Sequence, residues 1–286
     1  ASDVYKRQGS ASRGTRSVAA QWGTRIHCGR QRCVRAEITL TTPDRPVKFL
    51  AEGAVFDCDG LLFDSESVWL DMISDWLAEH ALEFPDINQL IGVDATTAAR
   101  ILVDQLQAAQ HPRFSALRSR TPSPTLRNAL RIEITDELDA DYSARLSSGV
   151  PVMPGAADLL KQLSSIIPVA VASNGRRTDV MAMLRSADLD HLLHSVCTVE
   201  DVAEGKPAPD LYVRAAALIG VAPKDCAAFE DSRVGTQAAR AAGTTVVGVN
   251  ADHNAALVCD YRLTSLRHVS ATPAGNVARL AANTRS

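Results

Sequence analysis

After residue 46, short apolar runs alternate with longer segments in which apolar residues recur every three or four positions. Short apolar runs bounded by turn residues predict buried strands, and the longer period predicts amphipathic helices. The runs predict strands at residues 53–57, 168–173, 195–199, 226–230 and 244–249, with an edge strand at 258–262. The helical spacing predicts helices at residues 155–166, 177–187, 207–220 and 233–242. This alternation predicts an α/β fold, with a Rossmann-like parallel sheet and helices on both faces.

A long insertion separates the first two predicted strands. Residues 66–149 are too many for an ordinary crossover, and two of their segments, 67–80 and 94–107, have helical apolar spacing. We therefore expect a helical cap at residues 66–149, inserted into a catalytic core formed by residues 47–65 and 150–270.

The first 46 residues differ in composition from the rest of the chain. They contain nine lysines and arginines against three acidic residues, without sustained apolar periodicity, and the first methionine of the chain is Met72. We interpret residues 1–46 as a non-native or disordered leader, and an organelle transit peptide is the alternative reading of this basic composition. At the other end, residues 271–286 are predicted to form a tail.

Composition limits the classes of partner. The chain has 286 residues, of which 46% are hydrophobic, and a net charge of −3, so it can bury a core and lacks a nucleic-acid signature. No apolar run approaches the ~20 residues that a membrane-spanning helix needs. Six scattered cysteines indicate reduced thiols and a cytoplasmic protein. We expect no nucleic-acid or membrane partner, and a monomer or weak dimer.

Two acidic residues end the first predicted strand. Asp57 and Asp59 share a face because strand side chains alternate, and Gly60 allows the backbone to turn beneath a ligand. The same alternation turns Cys58 away from the site and into packing. Paired carboxylates at the carboxyl end of a buried strand suit a hard cation such as Mg²⁺, together with nucleophilic or acid/base chemistry.

Three further polar clusters follow in order along the chain. Ser173 and Asn174 end the second predicted strand, Lys206 stands in GKPAPD, and Glu230 and Asp231 end the run CAAFED. With the first acidic pair, they supply an attacking carboxylate, a hydroxyl donor, a fixed positive charge and a metal anchor. Each of these groups has a use around a phosphate.

The blocks FDCDG, SN, KPAPD and FEDS resemble the four motifs of the haloacid dehalogenase superfamily. The likeness is to the subgroup that holds β-phosphoglucomutases and small phosphosugar phosphatases, and it covers residues 50–265. It implies a cap that closes over the site and carries substrate selectivity. It further implies a Mg²⁺-dependent phosphatase that hydrolyses a small phosphorylated metabolite, such as a sugar phosphate, through a phosphoaspartyl intermediate.

The resemblance also implies a role for each acidic residue. Asp57 would attack the phosphorus, while Asp59 would protonate the leaving alcohol and then activate the water. Mg²⁺ would be held by the Asp57 carboxylate, the Asp59 backbone carbonyl and Asp231, with Glu230 either a further ligand or a residue behind the ligands.

The remaining motif residues are implied to bind the substrate phosphate. Ser173 and Lys206 would contact the transferring phosphoryl oxygens, assisted by Asn174 and by the backbone amides around Asp59 and Gly60. Each motif also has an ordinary structural use, as a turn, a helix cap or a surface charge. All four in this order favour the catalytic reading.

Two other functions stay open. A β-phosphoglucomutase would carry a histidine and an arginine where this chain has Trp69 and Ala95, and losing the second phosphate clamp favours hydrolysis. A protein that binds a phosphorylated ligand without turnover would not need the acid/base group of Asp59. Five cap arginines either contact an anionic substrate or lie on a solvated surface: Arg113, Arg118, Arg120, Arg127 and Arg131. Trp69 either packs between domains or supports a sugar ring.

Overall fold

The structure, a computed structural model, describes residues 34–43, 45–91, 93–114 and 123–274. Its main sheet has six parallel strands in the order β5-β4-β3-β6-β7-β8. Their bounds are β3 (Gly53–Phe56), β4 (Val169–Ser173), β5 (Ser195–Thr198), β6 (Cys226–Glu230), β7 (Thr245–Val249) and β8 (Tyr261–Leu263). The predicted α/β fold with a parallel sheet is therefore confirmed, and the edge strand lies slightly later than predicted.

Helices cover both faces of this sheet. They are α4 (Ala156–Ser164), α5 (Arg177–Ser186), α6 (Asp210–Leu218) and α7 (Arg233–Ala241). The helices α4 and α5 pack on one face, where the rings of Phe56 and Phe229 stack with centroids 4.6 Å apart. The helices α6 and α7 pack on the other, where Tyr212 is fully buried. Because both faces are covered, the central strands are apolar up to the last residue of β4 and of β6, which are Ser173 and Glu230.

A second, antiparallel sheet corrects two of the predicted boundaries. It consists of β1 (Ala36–Leu40), β2 (Val47–Ala51) and β9 (Val269–Pro273), in the order β2-β1-β9. The predicted leader is wrong for residues 36–40, because alternate residues of β1 are buried in the core. The predicted tail is wrong for residues 271–273, which pair with β1. Residues 1–33 and 275–286 lie outside the described part of the chain.

The insertion between β3 and β4 is helical, as predicted. It contains α1 (Ser65–Glu79), α2 (Ala95–Ala108) and α3 (Ser123–Ser148), and its apolar side chains form a cluster separate from those of the sheet. The 26-residue helix α3 was not predicted from the sequence. Across the described residues, no helix combines the length and the apolar character that crossing a bilayer requires.

Candidate active site

A cavity of about 510 Å³ lies between the sheet and the helical insertion. Asp57 follows β3 directly, Ser173 ends β4 and Glu230 ends β6. These three strands are neighbours, so their carboxyl ends bring the three side chains to one edge of the sheet. From the insertion, Trp69 and Tyr142 also line the cavity.

Lys206 joins two of the predicted acidic residues. Its Nζ donates to Asp57 Oδ1 over 2.5 Å and to Glu230 Oε1 over 2.6 Å, and its side chain is only 4% exposed. Burial disfavours the charged amine, but the two carboxylates outweigh burial and raise the pKa of Lys206. The structure therefore places a fixed positive charge beside Asp57.

Both carboxylate oxygens of Glu230 accept hydrogen bonds. The hydroxyl of Tyr212 donates to Glu230 Oε1 over 2.7 Å, and the backbone N–H and hydroxyl of Ser232 donate to Oε2. Lys206 Nζ also lies 5.2 Å from the centre of the Tyr212 ring, within the range of a cation–π contact. Sequence reasoning missed Tyr212, because its position matches the apolar stripe of α6.

Ser173 and Asn174 have different partners. Ser173 Oγ donates to Asp59 Oδ2 over 3.1 Å and accepts from the Gly175 N–H over 2.8 Å. Asn174 accepts from the Lys206 N–H over 2.8 Å and donates to the Lys206 carbonyl over 3.2 Å. The first hydrogen bonds orient Asp59, and the second pair fixes the backbone that carries Lys206.

Three carboxylates form a group that fits a divalent metal. Oxygens of Asp57, Glu230 and Asp231 lie within 4.8 Å of one another. Asp231 Oδ1 is buried, and it has no hydrogen-bond partner among the described residues. A buried oxygen without a donor is costly, and a hard cation would satisfy it. This donor set is the kind that Mg²⁺ prefers.

Burial, together with the charges of neighbouring carboxylates, raises the pKa values of Asp57 and Asp231. Burial, followed by the charge of Glu230, raises the pKa of Asp57 to about 7. Burial, followed by the charges of Asp57 and Glu230, raises the pKa of Asp231 to about 9. A cation bound between the carboxylates would lower these pKa values, because it favours the charged forms of the carboxylates.

Gly60 makes room for one of these carboxylates. Its φ is +75°, and a Cβ built on it would overlap Asp231 Oδ2 and lie 3.1 Å from Asp231 Cγ. The Gly60 N–H donates to the carbonyl of Phe63 over 2.8 Å, so this predicted phosphate-binding amide is already used within the turn. Glycine is required here by backbone conformation and by space.

The described cap arginines do not line the cavity. Arg113 pairs with Glu133 and Glu137, Arg127 pairs with Asp104, and Arg131 bonds Asn128. Arg127 is exposed, which supports the surface reading for it, whereas the Arg113 side chain is only 18% exposed and lies in an ion-pair network within the insertion. Arg118 and Arg120 lie outside the described residues.

Trp69 both packs and lines the cavity. Its indole N–H donates to the Leu90 carbonyl over 2.8 Å, and its ring meets that of Tyr142 edge to face with centroids 5.3 Å apart. Ala95 lines the same cavity.

An ion pair between the insertion and the core was also missed by sequence reasoning. Arg176 follows the Ser-Asn motif, and its guanidinium lies 2.8 Å from Asp139 of α3. Both residues line the cavity. Their separation in the sequence left no local signal that would pair them.

Known proteins are similar to this chain in structure or in sequence. CbbY from Rhodobacter sphaeroides, solved in complex with phosphate, is similar with a TM-score of 0.55 and 22% sequence identity, over 76% of this chain and 95% of that one. Beta-phosphoglucomutase of Bacillus subtilis is 36% identical over 125 residues, which are 43% of this chain and 54% of the relative. Hexitol phosphatase A of Escherichia coli is 35% identical over 136 residues, which are 46% of this chain and 62% of the relative. The alignments thus span little more than half of these two relatives' lengths.

A family model covers more of the chain. Residues 51–243 match the model of the haloacid dehalogenase-like hydrolases, which is described as a hydrolase family. This match includes all four polar clusters and the helical insertion, and it confirms the resemblance carried by the four motifs. The chain belongs to the haloacid dehalogenase-like hydrolase family.

Proposed function

We propose that this chain is a Mg²⁺-dependent phosphatase that hydrolyses a small phosphorylated metabolite, of the sugar phosphate class, through a phosphoaspartyl intermediate. The observation that carries the proposal is the buried lysine Nζ between Asp57 and Glu230, next to the unpartnered oxygen of Asp231. This arrangement suits an attacking carboxylate whose phosphoryl target is stabilised by positive charge. The similarity to hexitol phosphatase A supports the choice of substrate class.

In the first chemical step, an oxygen of Asp57 attacks the phosphorus and the bond to the leaving alcohol breaks. Asp59 gives its proton to the departing oxygen. In the second step, Asp59 takes a proton from a water that attacks the same phosphorus, and the bond to Asp57 breaks. Phosphate and the free Asp57 carboxylate result. The hydrogen bond from Ser173 Oγ orients Asp59 before the phosphoryl group binds.

The charge of Lys206 lies beside Asp57 and stabilises the negative oxygens of the transferring group. Ser173 is the second proposed contact to these oxygens. We assign Asn174 and Gly60 indirect roles, because Asn174 fixes the Lys206 backbone and Gly60 provides space for Asp231.

For the metal, we propose the carboxylates of Asp57 and Asp231 and the backbone carbonyl of Asp59 as ligands. Glu230 stands behind them, because hydrogen-bond donors already occupy both of its oxygens. When bound, Mg²⁺ supplies positive charge that neutralises phosphoryl oxygens and the attacking carboxylate.

The test is phosphate release from a panel of phosphorylated sugars, polyols and phosphoglycolate, with and without Mg²⁺. Wild-type protein is expected to release phosphate from some members only when Mg²⁺ is present. Asp57→Asn should abolish release without unfolding the protein, and Asp59→Asn should slow release most for poor leaving groups. Asp136→Asn is the matched control, since Asp136 is exposed and lies away from the cavity. Release retained by Asp57→Asn would refute the assignment of the nucleophile.

A mutase is the second candidate, because beta-phosphoglucomutase is among the similar proteins. Assaying β-glucose 1-phosphate for glucose 6-phosphate as well as for free phosphate separates the two activities. Conversion without release would replace the phosphatase proposal with a mutase. Binding of these esters without either reaction would support a ligand-binding role instead.

We further propose that the protein acts in the cytoplasm. Four of its cysteines are free thiols in the described residues: Cys58, Cys197, Cys226 and Cys259. Free, mostly buried thiols agree with a reducing compartment.

A further inference from the structure

Outside the proposed catalytic and metal-binding groups, the described lining of the cavity is mostly acidic, and we call this part of the lining the acidic half. Besides the proposed catalytic and metal-binding groups, five charged side chains line the cavity: Glu66, Asp94, Asp139, Asp179 and Arg176. Among the described residues, this part of the lining therefore has four carboxylates and one guanidinium. The leaving group of a substrate must fit against these side chains, because the phosphoryl group binds at the strand ends and they line the rest of the cavity.

Within the part of the chain that the structure describes, the one cationic side chain of this half already has acidic partners. Arg176 lies 2.8 Å from Asp139 and 3.9 Å from Asp179. Glu66 and Asp94 then remain as further negative charges. Burial and the nearby Asp64 raise the pKa of Glu66.

The rest of the lining suits an uncharged, hydroxyl-rich chain. Carboxylates are acceptors, so they can bind several hydroxyl groups of a polyol. Trp69 and Tyr142 offer aromatic surface to its C–H groups. The cavity volume of about 510 Å³ is in the range of ordinary small-molecule sites.

We propose, building on the phosphatase function above, that the substrate is a monophosphate whose remaining part is an uncharged polyhydroxylated chain. Esters with a second phosphate or a carboxylate are discriminated against by the acidic half of the cavity. Asp139 is the specificity-determining residue, because it pairs with Arg176, which among the described residues is the one cationic side chain that a second anion could bind in this half.

The wild-type test compares matched esters that differ by one anionic group. The pairs are fructose 1-phosphate with fructose 1,6-bisphosphate, and glycerol 3-phosphate with 3-phosphoglycerate. Free Mg²⁺ is held constant, because the more charged member of each pair binds more metal. The side chains of Arg176 and Asp139 are 51% and 40% exposed, so solvent screens their charges. We expect kcat/KM to be about two- to fivefold higher for the less charged member.

The outcomes separate the two proposals. Phosphate release with equal kcat/KM in both pairs, or with preference for the more charged member, would overturn the substrate inference and leave the phosphatase proposal standing. No Mg²⁺-dependent release from any ester would overturn the phosphatase proposal and the inference that rests on it.

A variant tests the role of Asp139 directly. Asp139→Asn keeps a hydrogen-bonding group of the same size but leaves Arg176 without its anionic partner on α3. The preference for the less charged ester should fall about two- to fivefold in this variant and remain unchanged in Asp136→Asn. Because the readout is a ratio, partial loss of folded protein does not affect it.

Salt provides an independent check on wild-type protein. Raising the ionic strength from about 0.05 M to about 0.5 M shortens the screening length and should reduce the same preference. An unchanged preference in both Asp139→Asn and high salt would show that shape alone, rather than charge, determines selectivity, and would overturn the inference.

Discussion

Gly60 is a position where one added methyl group tests whether Asp231 holds the metal. Its φ is +75°, and a Cβ there would overlap Asp231 Oδ2. The Gly60→Ala substitution therefore strains the backbone and forces the Asp231 carboxylate to move. If that carboxylate binds Mg²⁺, the variant needs more metal for the same activity.

The two effects have different sizes and different controls. The left-handed conformation costs an alanine about 1–2 kcal/mol, which lowers Tm by about 2–8 °C in a protein of this size. Displacing a metal-binding carboxylate should raise the Mg²⁺ concentration for half-maximal activity by about 10- to 100-fold. Gly220→Ala isolates the first effect, because Gly220 has φ of +71° and a Cβ there would meet nothing within 4 Å.

Two measurements test whether Asp231 binds the metal. Thermal unfolding in EDTA should show similar losses of stability in Gly60→Ala and Gly220→Ala. Mg²⁺ titrations, followed by phosphate release and by the Mg²⁺-induced rise in Tm, should be shifted only in Gly60→Ala. Equal titration midpoints in the two variants would show that Asp231 is not a ligand, or that its carboxylate can move without losing the metal.

Two further predictions concern the buried groups around Lys206. Tyr212→Phe removes the hydroxyl that donates to Glu230, so a buried carboxylate oxygen loses a donor. The free energy of unfolding, measured by urea titration, should fall by about 1–3 kcal/mol. An unchanged free energy would mean that another donor replaces the hydroxyl. In EDTA, the pKa of Asp57 is raised to about 7 and that of Asp231 to about 9. Between the unfolded and folded pKa values, these carboxyl groups are protonated in the folded protein and ionised in the unfolded chain. Stability should therefore fall as pH rises from about 4, the unfolded value, to about 9, and Asp231→Asn should flatten this fall, as measured by Tm. The same slope in both proteins would contradict the raised pKa of Asp231.

The predicted site residues lie together because their positions follow directly from the strands. Asp57, Ser173 and Glu230 each end or follow an apolar run, and the carboxyl ends of parallel strands share one edge of a sheet. Lys206 could be placed only by its motif, since it lies on a loop and not at a strand end. The sequence pattern therefore predicted which residues form the candidate site, but it did not predict the hydrogen bonds between them.

The residues that were missed depend on tertiary packing. Tyr212 has the spacing of an ordinary core residue, and its hydroxyl becomes informative only when Glu230 is seen beside it. The strand at residues 36–40 has a clear alternation in AEITL, but averaging the composition over 46 residues concealed it. The alternation in residues 36–40 predicts a strand, but the surrounding basic residues led to the interpretation of residues 1–46 as a leader.

The acidic half of the cavity also bears on the choice between hydrolysis and mutase chemistry. A mutase must bind a second phosphate where the leaving group lies, and that phosphate needs a cation. Within the described part of the helical insertion, the charged residues that line the cavity are Glu66, Asp94 and Asp139, all of them acidic. Outside the catalytic groups, Arg176 is the one cationic side chain among the described lining residues, and it is paired with Asp139. The same residues that select an uncharged leaving group therefore disfavour a bisphosphate intermediate, so Asp139→Asn should bring the protein closer to a mutase than any change at the strand ends.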